Sequence, residues 1–202
     1  MPTFVFPIQP GEIRTRIYDL SNTAPMREGE ELETVVSSSC TKNGVAASGI
    51  LDSITIDTAN PQRFKVKLNA AAEGDVHRVT ALFETTGENR IEVDIDAQTA
   101  TEYLDKFEMQ PSEITVRAID LANQSELKYD GETLTSTPAV TIIASDSSST
   151  SAILKSATHS GSQARIRVGT PTNGITYTVT SLSTTSGGHK IAGTFVMVGA
   201  EA

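Results

Sequence analysis

The chain has 202 residues and a formal net charge of −9, with 9 Lys and Arg against 15 Asp and Glu in residues 1–101 and 7 against 10 in residues 102–202. Since neither half is basic, nucleic acid and anionic membranes are disfavoured as partners on electrostatic grounds. The sequence lacks both a spanning run of about 18 apolar residues and a basic signal-peptide start, so we expect the protein to be made in the cytoplasm and not to be secreted.

Two blocks of the sequence recur about 100 residues apart. Residues 6–22 align on residues 107–123 with nine identities in seventeen positions, and residues 74–87 align on residues 174–187 with six in fourteen. Unrelated segments of this length share about one identity. The chain is therefore a tandem duplication, and since each copy has the size of a common domain we predict domains at residues 1–100 and 101–202.

The composition is rich in Ser, Thr, Val and Ile, with only 5% aromatic residues, as is typical of short strands and polar turns. The predicted strands lie at residues 12–20, 31–37, 53–57, 63–68, 76–85 and 90–95, and again at residues 113–121, 133–144, 152–156, 164–168, 176–184 and 189–198. Pro, Gly, Asn or Asp bounds each run. This spacing predicts an all-β protein of two tandem immunoglobulin-like antiparallel β-sandwich domains.

Alternation within the strand at residues 63–68 predicts one buried and one wet, basic face. The buried set is Val66 and Leu68, repeated as Ile166 and Val168; the basic set is Lys65 and Lys67, repeated as Arg165 and Arg167. Glycine at the matched positions 87 and 187 predicts a tight hairpin turn in each copy.

For two segments, the sequence is compatible with more than one structure. Residues 2–7 are apolar, which is compatible with an arm lying on a neighbouring molecule or with a first strand of the first domain. Residues 96–105 lack Gly and Pro, and this composition predicts a short helical or extended connector between the domains.

Candidate catalytic and metal-binding residues are few. The three histidines, His77, His159 and His189, have no ligand spacing, and each is interpreted as a surface strand or turn residue. Asp94 and Asp96 are interpreted as alternating residues of an edge strand, because the second copy has no carboxylates there. We therefore predict no metal site, cofactor or catalytic residue among them.

Two further nucleophile candidates receive ordinary interpretations. Cys40, the single cysteine, lies in a β-prone run and is predicted to be a small buried thiol, in agreement with folding in a reducing compartment. The serine-rich residues 145–151 lack the Gly-x-Ser-x-Gly pattern of a nucleophile elbow and are predicted to form a solvated loop.

Arg-x-x-Asp occurs at the same place in both copies, as Arg16 with Asp19 and as Arg117 with Asp120. A residue pair that both copies retain fits a framework salt bridge, or an arginine that reaches the carbonyls of an adjacent loop. Gly74 and Gly174, likewise shared, are also predicted to be structural.

These repeated blocks resemble a known family. The openings at residues 9–21 (QPGEIRTRIYDLS) and 110–122 (QPSEITVRAIDLA), with the closing block at residues 174–188 (GITYTVTSLSTTSGG), are similar to a small β-sandwich module of tailed-bacteriophage head and tail proteins. The resemblance implies a non-enzymatic structural protein of the virion, of the fibre-to-tail adaptor kind. No catalytic residue or cofactor comes with it.

The expected function is an adaptor that connects tail and fibre components or serves in the head–tail connector, with other virion proteins as partners in a symmetric, multi-copy assembly. A capsid decoration or cement protein is one alternative. A host-surface or carbohydrate-binding module is another, which the absence of Trp disfavours.

Positions shared by both copies are those that the sandwich needs, so partner contacts are expected where the copies differ. The predicted contact residues are Phe4 and Phe6 in the N-terminal segment; Arg27, Glu28, Glu30 and Glu31 in an acidic turn; and Ser147, Ser148 and Ser149 in the serine-rich loop.

Overall fold

The computed structural model describes residues 1–23 and 26–200, and they are strands and turns apart from one short helix. The chain divides into two compact units, Met1–Ala100 and Thr101–Ala202. Each unit has its own pair of sheets and its own apolar core.

Unit 1 contains eight of the described strands. They are β1 (Thr3–Ile8), β2 (Arg14–Asp19), β3 (Leu32–Lys42), β4 (Val45–Ala46), β5 (Leu51–Ile56), β6 (Arg63–Leu68), β7 (Val76–Thr85) and β8 (Arg90–Thr99). One sheet has the order β1-β8-β7-β3-β4 and the other the order β2-β6-β5. Phe6, Phe64, Val66, Phe83 and Ile95 meet between the sheets and are fully buried, because alternate residues of each strand face the partner sheet.

Unit 2 repeats this plan. Its elements are β9 (Tyr103–Met109), β10 (Ile114–Asp120), the helix α1 (Ser125–Lys128), β11 (Ala139–Ala144), β12 (Leu154–Ser160), β13 (Gln163–Gly169), β14 (Thr176–Thr184) and β15 (Lys190–Gly199). The sheets have the orders β11-β14-β15-β9 and β10-β13-β12. The strand order in each unit is that of an immunoglobulin-like sandwich, so the predicted all-β class and tandem immunoglobulin-like architecture are confirmed.

One detail of the predicted pairing is wrong. The first strand of each unit pairs in parallel with the last, β1 with β8 and β9 with β15, while the other strand pairs of the described chain are antiparallel. Pairing between strands at opposite ends of a domain leaves no trace in local alternation, whereas hairpin turns between neighbours do.

The N-terminal segment is a strand and not an arm. β1 runs along β8 from Thr3 opposite Asp94 to Ile8 opposite Thr99. Phe6 is fully buried in the core, so its prediction as a partner contact is wrong. The Phe4 ring is partly buried, and its centroid lies 4.8 Å from that of Tyr18, which makes it a packing residue of unit 1 rather than a free contact.

Residues 96–105 take up the extended alternative of the prediction, but most of them belong to strands of the two units rather than to a separate connector. β8 extends to Thr99 and β9 begins at Tyr103, so residues 100–102 alone join the two strands. β8 extends beyond the predicted strand at residues 90–95 and β9 replaces part of the predicted connector, because each pairs with a strand that is distant in sequence. Local composition does not indicate such pairing.

The alternation predicted for the central strand of the smaller sheet is confirmed in both units. Val66 and Leu68 in β6 and Ile166 and Val168 in β13 are buried. Arg165 and Arg167 are exposed, and Lys65 and Lys67 are half-buried. This strand therefore presents a basic outer face in each unit.

Candidate interaction surfaces

A buried carboxylate closes the turn between β7 and β8. Glu30 is 8% exposed and accepts hydrogen bonds from the Asn89 side-chain amide, from the Arg27 backbone N–H at 3.3 Å and from the Thr85 hydroxyl at 3.4 Å. The prediction of Glu30 as a partner contact is wrong, because its carboxylate is bound within its own unit.

The same arrangement recurs in unit 2 with a different partner. Glu132 stands two residues before Leu134 as Glu30 stands two before Leu32, and these leucines lie opposite Thr185 and Thr85. His189 Nδ1 lies 2.9 and 3.0 Å from the two carboxylate oxygens of Glu132. His189 is 8% exposed, so its interpretation as a surface residue is wrong.

The carboxylates of Glu30 and Glu132 explain why both copies have glycine in the turn before the last strand. A Cβ at Gly87 would contact the Glu30 carboxylate, and a Cβ at Gly187 would contact that of Glu132. The left-handed turn residues are instead the next ones, Glu88 at φ 61° and Gly188 at φ 80°. The predicted turn exists, but Gly87 and Gly187 are needed for space rather than for backbone conformation.

Asp19 and Asp120 end their strands and do not pair with Arg16 and Arg117. Both aspartates accept the backbone N–H two residues on, at 2.9 Å. Hydrogen bonds from Ser21 and Arg63 lower the pKa of Asp19 to about 2. The predicted Arg-x-x-Asp salt bridge is wrong, because residues three apart on a strand point to opposite faces.

The two shared arginines lie on the inner side of their strands instead. The Arg16 guanidinium carbon lies 5.8 Å from the Phe6 ring centroid, and that of Arg117 lies 3.7 Å from the Phe107 centroid. Arg117 also pairs with Asp105 at 3.4 Å. Stacking on the aromatic ring of the first strand is thus a contact that both copies preserve.

Other shared positions hold turns. Gly74 and Gly174 have φ of 78° and 76°, a region that favours glycine, and their N–H groups donate to the carbonyls of Thr99 and Gly199. Glu12 and Glu113 each accept the backbone N–H three residues earlier at 2.7 Å.

His77 and Cys40 are both buried side chains of the larger sheet in unit 1. Burial lowers the pKa of His77, and its interpretation as a surface residue is wrong since it is 1% exposed. Burial likewise raises the pKa of the Cys40 thiol. The prediction of Cys40 as a small buried thiol is confirmed.

The carboxylates of β8 serve the sheet. Asp94 is buried and accepts the Thr80 hydroxyl at 2.8 Å, and Asp96 pairs with Arg78 at 2.7 Å. Their placement on an edge strand is wrong, because β8 lies between β1 and β7. His159 is half-buried on β12 beside a cleft of about 380 Å³ that Glu132 also lines.

Most of the remaining predicted contact residues are on the surface. Ser147, Ser148 and Ser149 are exposed in the β11–β12 turn, where the Ser148 N–H donates to Asp146 at 3.0 Å and Ser147 has φ 60°. Arg27, Glu28 and Glu31 are exposed as well.

Unit 2 carries a surface that we call the cationic face. It consists of Lys155, Arg165 and Arg167 together with an apolar row on β10 formed by Ile114, Val116 and Ala118, all exposed. Val116 lies opposite Arg167 and Ala118 opposite Arg165 in the β10–β13 register. Within the described residues, no carboxylate lies within 4 Å of these three cations; Arg165 contacts Gln163 and Lys155 contacts Thr170.

The equivalent surface of unit 1 is partly neutralised. Lys67, which matches Arg167, pairs with Asp52 at 3.4 Å, and Arg63, at the position of Gln163, pairs with Asp19 at 2.7 Å. Asp52 stands at the bulge opposite β6, and the matching bulge opposite β13 is occupied by Lys155. A carboxylate in one copy is thus replaced by a cation in the other.

A second distinctive surface, the acidic end, lies on unit 1. It consists of the exposed Glu28, Glu31, Glu33 and Glu88. The Thr86 N–H donates to the Glu31 carbonyl at 2.9 Å, which holds the β7–β8 hairpin beside the start of β3. Val36 on β3 is 42% exposed.

Two features are absent from residues 1–23 and 26–200. There is no group of three or more His, Cys, Asp or Glu side chains placed to hold a metal ion. Nor does this part of the chain contain a helix of the length and apolarity that crossing a membrane requires.

Comparison with known proteins gives no family. No family model matches the chain, and no curated protein is significantly similar. Among solved structures, the I9–I11 tandem from titin covers the whole chain at 11% identity and TM-score 0.35, with the chain spanning 65% of that fragment. Titin z1z2 in complex with telethonin covers 99% of the chain and 93% of its own length, at 10% identity and TM-score 0.29.

The cadmium-bound structure of SporoSAG covers 98% of this chain and 97% of its own length, at 11% identity and TM-score 0.28. The description of each unit as immunoglobulin-like rests on its strand order and not on these likenesses.

Proposed function

We propose that the chain is a non-enzymatic structural protein of a tailed-bacteriophage virion, an adaptor between tail and fibre components. The observation that carries the proposal is that positions shared by the two copies stabilise their own units, whereas many exposed positions differ between them. Glu30, Glu132, Asp19 and Asp120 are bound by their own turns, whereas the cationic face and the acidic end are exposed and occur in one unit each. A duplicated scaffold whose units expose unlike surfaces suits a protein that joins unlike neighbours in an assembly, whether these are other virion proteins or further copies of itself.

Repetition strengthens such contacts. When many copies stand around a symmetric ring of the virion, each further contact becomes effectively intramolecular, so weak individual surfaces give high overall affinity. Exposed charged surfaces of moderate size suit this use, since they contribute specificity and association rate more than affinity. The resemblance of residues 9–21, 110–122 and 174–188 to the phage module supports the same proposal.

Particle composition tests the proposal. Phage particles released from cells that carry the gene in its own cluster should contain the chain in a fixed ratio to a tail protein, and gold-labelled antibody should mark the tail or the fibre base. Particles from a deletion strain should lack fibres and keep filled heads. Absence of the chain from purified particles would contradict the proposal, and a label spread over the head would assign the chain to decoration.

A further inference from the structure

We propose that the cationic face of unit 2 binds the acidic end of unit 1 of a second copy of this chain. The proposal concerns self-association and does not depend on the role in the virion.

The cationic face is chemically prepared for an acidic partner. Lys155, Arg165 and Arg167 are exposed, and in the described chain none is neutralised by a carboxylate, unlike Lys67, the residue of unit 1 that matches Arg167. Pairing these cations across an interface breaks no existing ion pair. The chain as a whole has a net charge of −9, but β12 and β13 carry a local excess of positive charge on this face. Such a face attracts acidic surfaces and repels basic ones.

Apolar contact accompanies the charges. Ile114 and Val116 are 49% and 56% exposed on β10, an edge strand that pairs with β13 on one side. Exposed apolar side chains next to cations are typical of a protein–protein interface with an apolar centre and a charged rim. In unit 1, the equivalent strand β2 has Thr15 and Ile17 half-buried instead.

The acidic end has the complementary chemistry. Glu28, Glu31, Glu33 and Glu88 are exposed, and Val36 is an exposed apolar side chain on the strand that also carries Glu33. Unit 1 also holds the larger share of the negative charge, 15 Asp and Glu against 9 Lys and Arg in residues 1–101. A second copy therefore offers negative charge to the three cations, and unit 1 of that copy also has Val36 as an exposed apolar side chain.

The contact would join different surfaces on the two copies. Because each chain carries both surfaces, two copies that make the contact reciprocally form a closed dimer, whereas copies that join head to tail add until a ring closes or a filament forms. We therefore expect an oligomer of two or more copies as concentration rises.

Sedimentation velocity of the full chain tests the proposal through charge reversal. Wild type should associate with rising concentration at low ionic strength, and should dissociate when salt brings the Debye length to about 3 Å. Arg165→Glu with Arg167→Glu should weaken association at least about tenfold, and Glu28→Lys with Glu31→Lys should do the same. A mixture of these two reversed proteins should again associate, because their altered surfaces complement each other.

The matched control is Lys106→Glu with Lys190→Glu, two exposed lysines outside both surfaces that change the net charge equally. This variant should associate more strongly than the Arg165 and Arg167 variant, and circular dichroism should show that all variants stay folded. A single-copy mass for wild type at every concentration in low salt would overturn the proposal. Equal weakening in the control, or no association in the mixture, would overturn it as well.

Discussion

At the scale of single residues, the duplication shows how one structural need is met by different side chains. The turn before the last strand holds a carboxylate that is buried or nearly so in both units, yet Glu30 accepts a hydrogen bond from the Asn89 amide whereas Glu132 contacts the imidazole of His189. The need is for a donor facing the carboxylate, because a buried charge without one is costly. Residue identity at position 89 or 189 is therefore free to change as long as a donor remains.

Removing this carboxylate should destabilise its unit. Glu132→Ala removes the carboxylate that the His189 ring contacts at 2.9 Å, and we expect unit 2 to lose about 1–3 kcal/mol in its free energy of unfolding. Differential scanning calorimetry of the full chain should show one of its transitions move to lower temperature. Glu108→Ala, which changes an exposed glutamate of the same unit outside both charged surfaces, is the control and should leave every transition in place.

The burial of His77 predicts a pH dependence of stability. Its pKa is lowered in the folded protein by burial, with Asp75 opposing and Lys42 reinforcing the shift. The unfolded chain then binds a proton more readily than the folded one, so this stabilisation is complete above the ordinary histidine pKa of about 6.5 and is lost as the pH falls below it.

His77→Phe should reduce the loss of stability between about pH 7.5 and about pH 5, as measured by urea denaturation. His77→Tyr, which introduces the residue found at the matching position 177, should behave alike because it also does not titrate in this range. An unchanged pH dependence in both variants would contradict the role given to His77.

At the scale of strands and turns, prediction from sequence succeeded where hydrophobic alternation and turn residues decide the structure. β6, β7 and β14 have the predicted bounds, because alternation there is regular and the flanking turns contain Gly, Asn or Pro. β3 extends to Lys42 with two register shifts, at Leu32/Thr34 and Val35/Ser37, and a shifted register interrupts the alternation on which prediction depends.

Candidate sites were harder to predict because exposure was inferred from polarity. Glu30 and His189 are polar but buried, and Glu132 was missed altogether. The available signal was a glutamate two residues before a leucine in both copies, with glycine at positions 87 and 187. That pattern can be interpreted only with the contact between Glu132 and His189, which are 57 residues apart, and local sequence patterns do not indicate such a contact.

The first strand allows a sharp test at this scale. Phe6 is fully buried while its neighbour Val5 is 70% exposed, as the alternation of a strand requires. Phe6→Ala should therefore lower the free energy of unfolding of unit 1 by about 3–5 kcal/mol. Val5→Ala should change it by less than about 0.5 kcal/mol. Equal small effects in a urea titration would instead indicate a detached arm.

At the scale of the whole molecule, the two units keep one topology while filling it differently. Unit 1 packs the aromatic cluster Phe4, Tyr18, Phe64 and Phe83. The matching positions in unit 2 are Asp105, Ile119, Ala164 and Ser183. Sandwiches tolerate such exchange when the inward alternation is preserved. The duplicated fold has thus diverged in its core as well as at its surfaces.

This organisation predicts that each unit folds alone. Residues 1–100 and 101–202 each contain both of their sheets, and the strand pairs and core clusters of the described chain lie within single units. Expressed separately, both fragments should unfold cooperatively with heat and give dispersed amide resonances, as about 100 residues suffice for a stable domain. Fragment 1–70, which lacks β7 and β8, is the control and should remain unfolded, since Phe6 then loses the strands that cover it. A fragment 101–202 that folds only when fragment 1–100 is added would show that the two units form one cooperative structure.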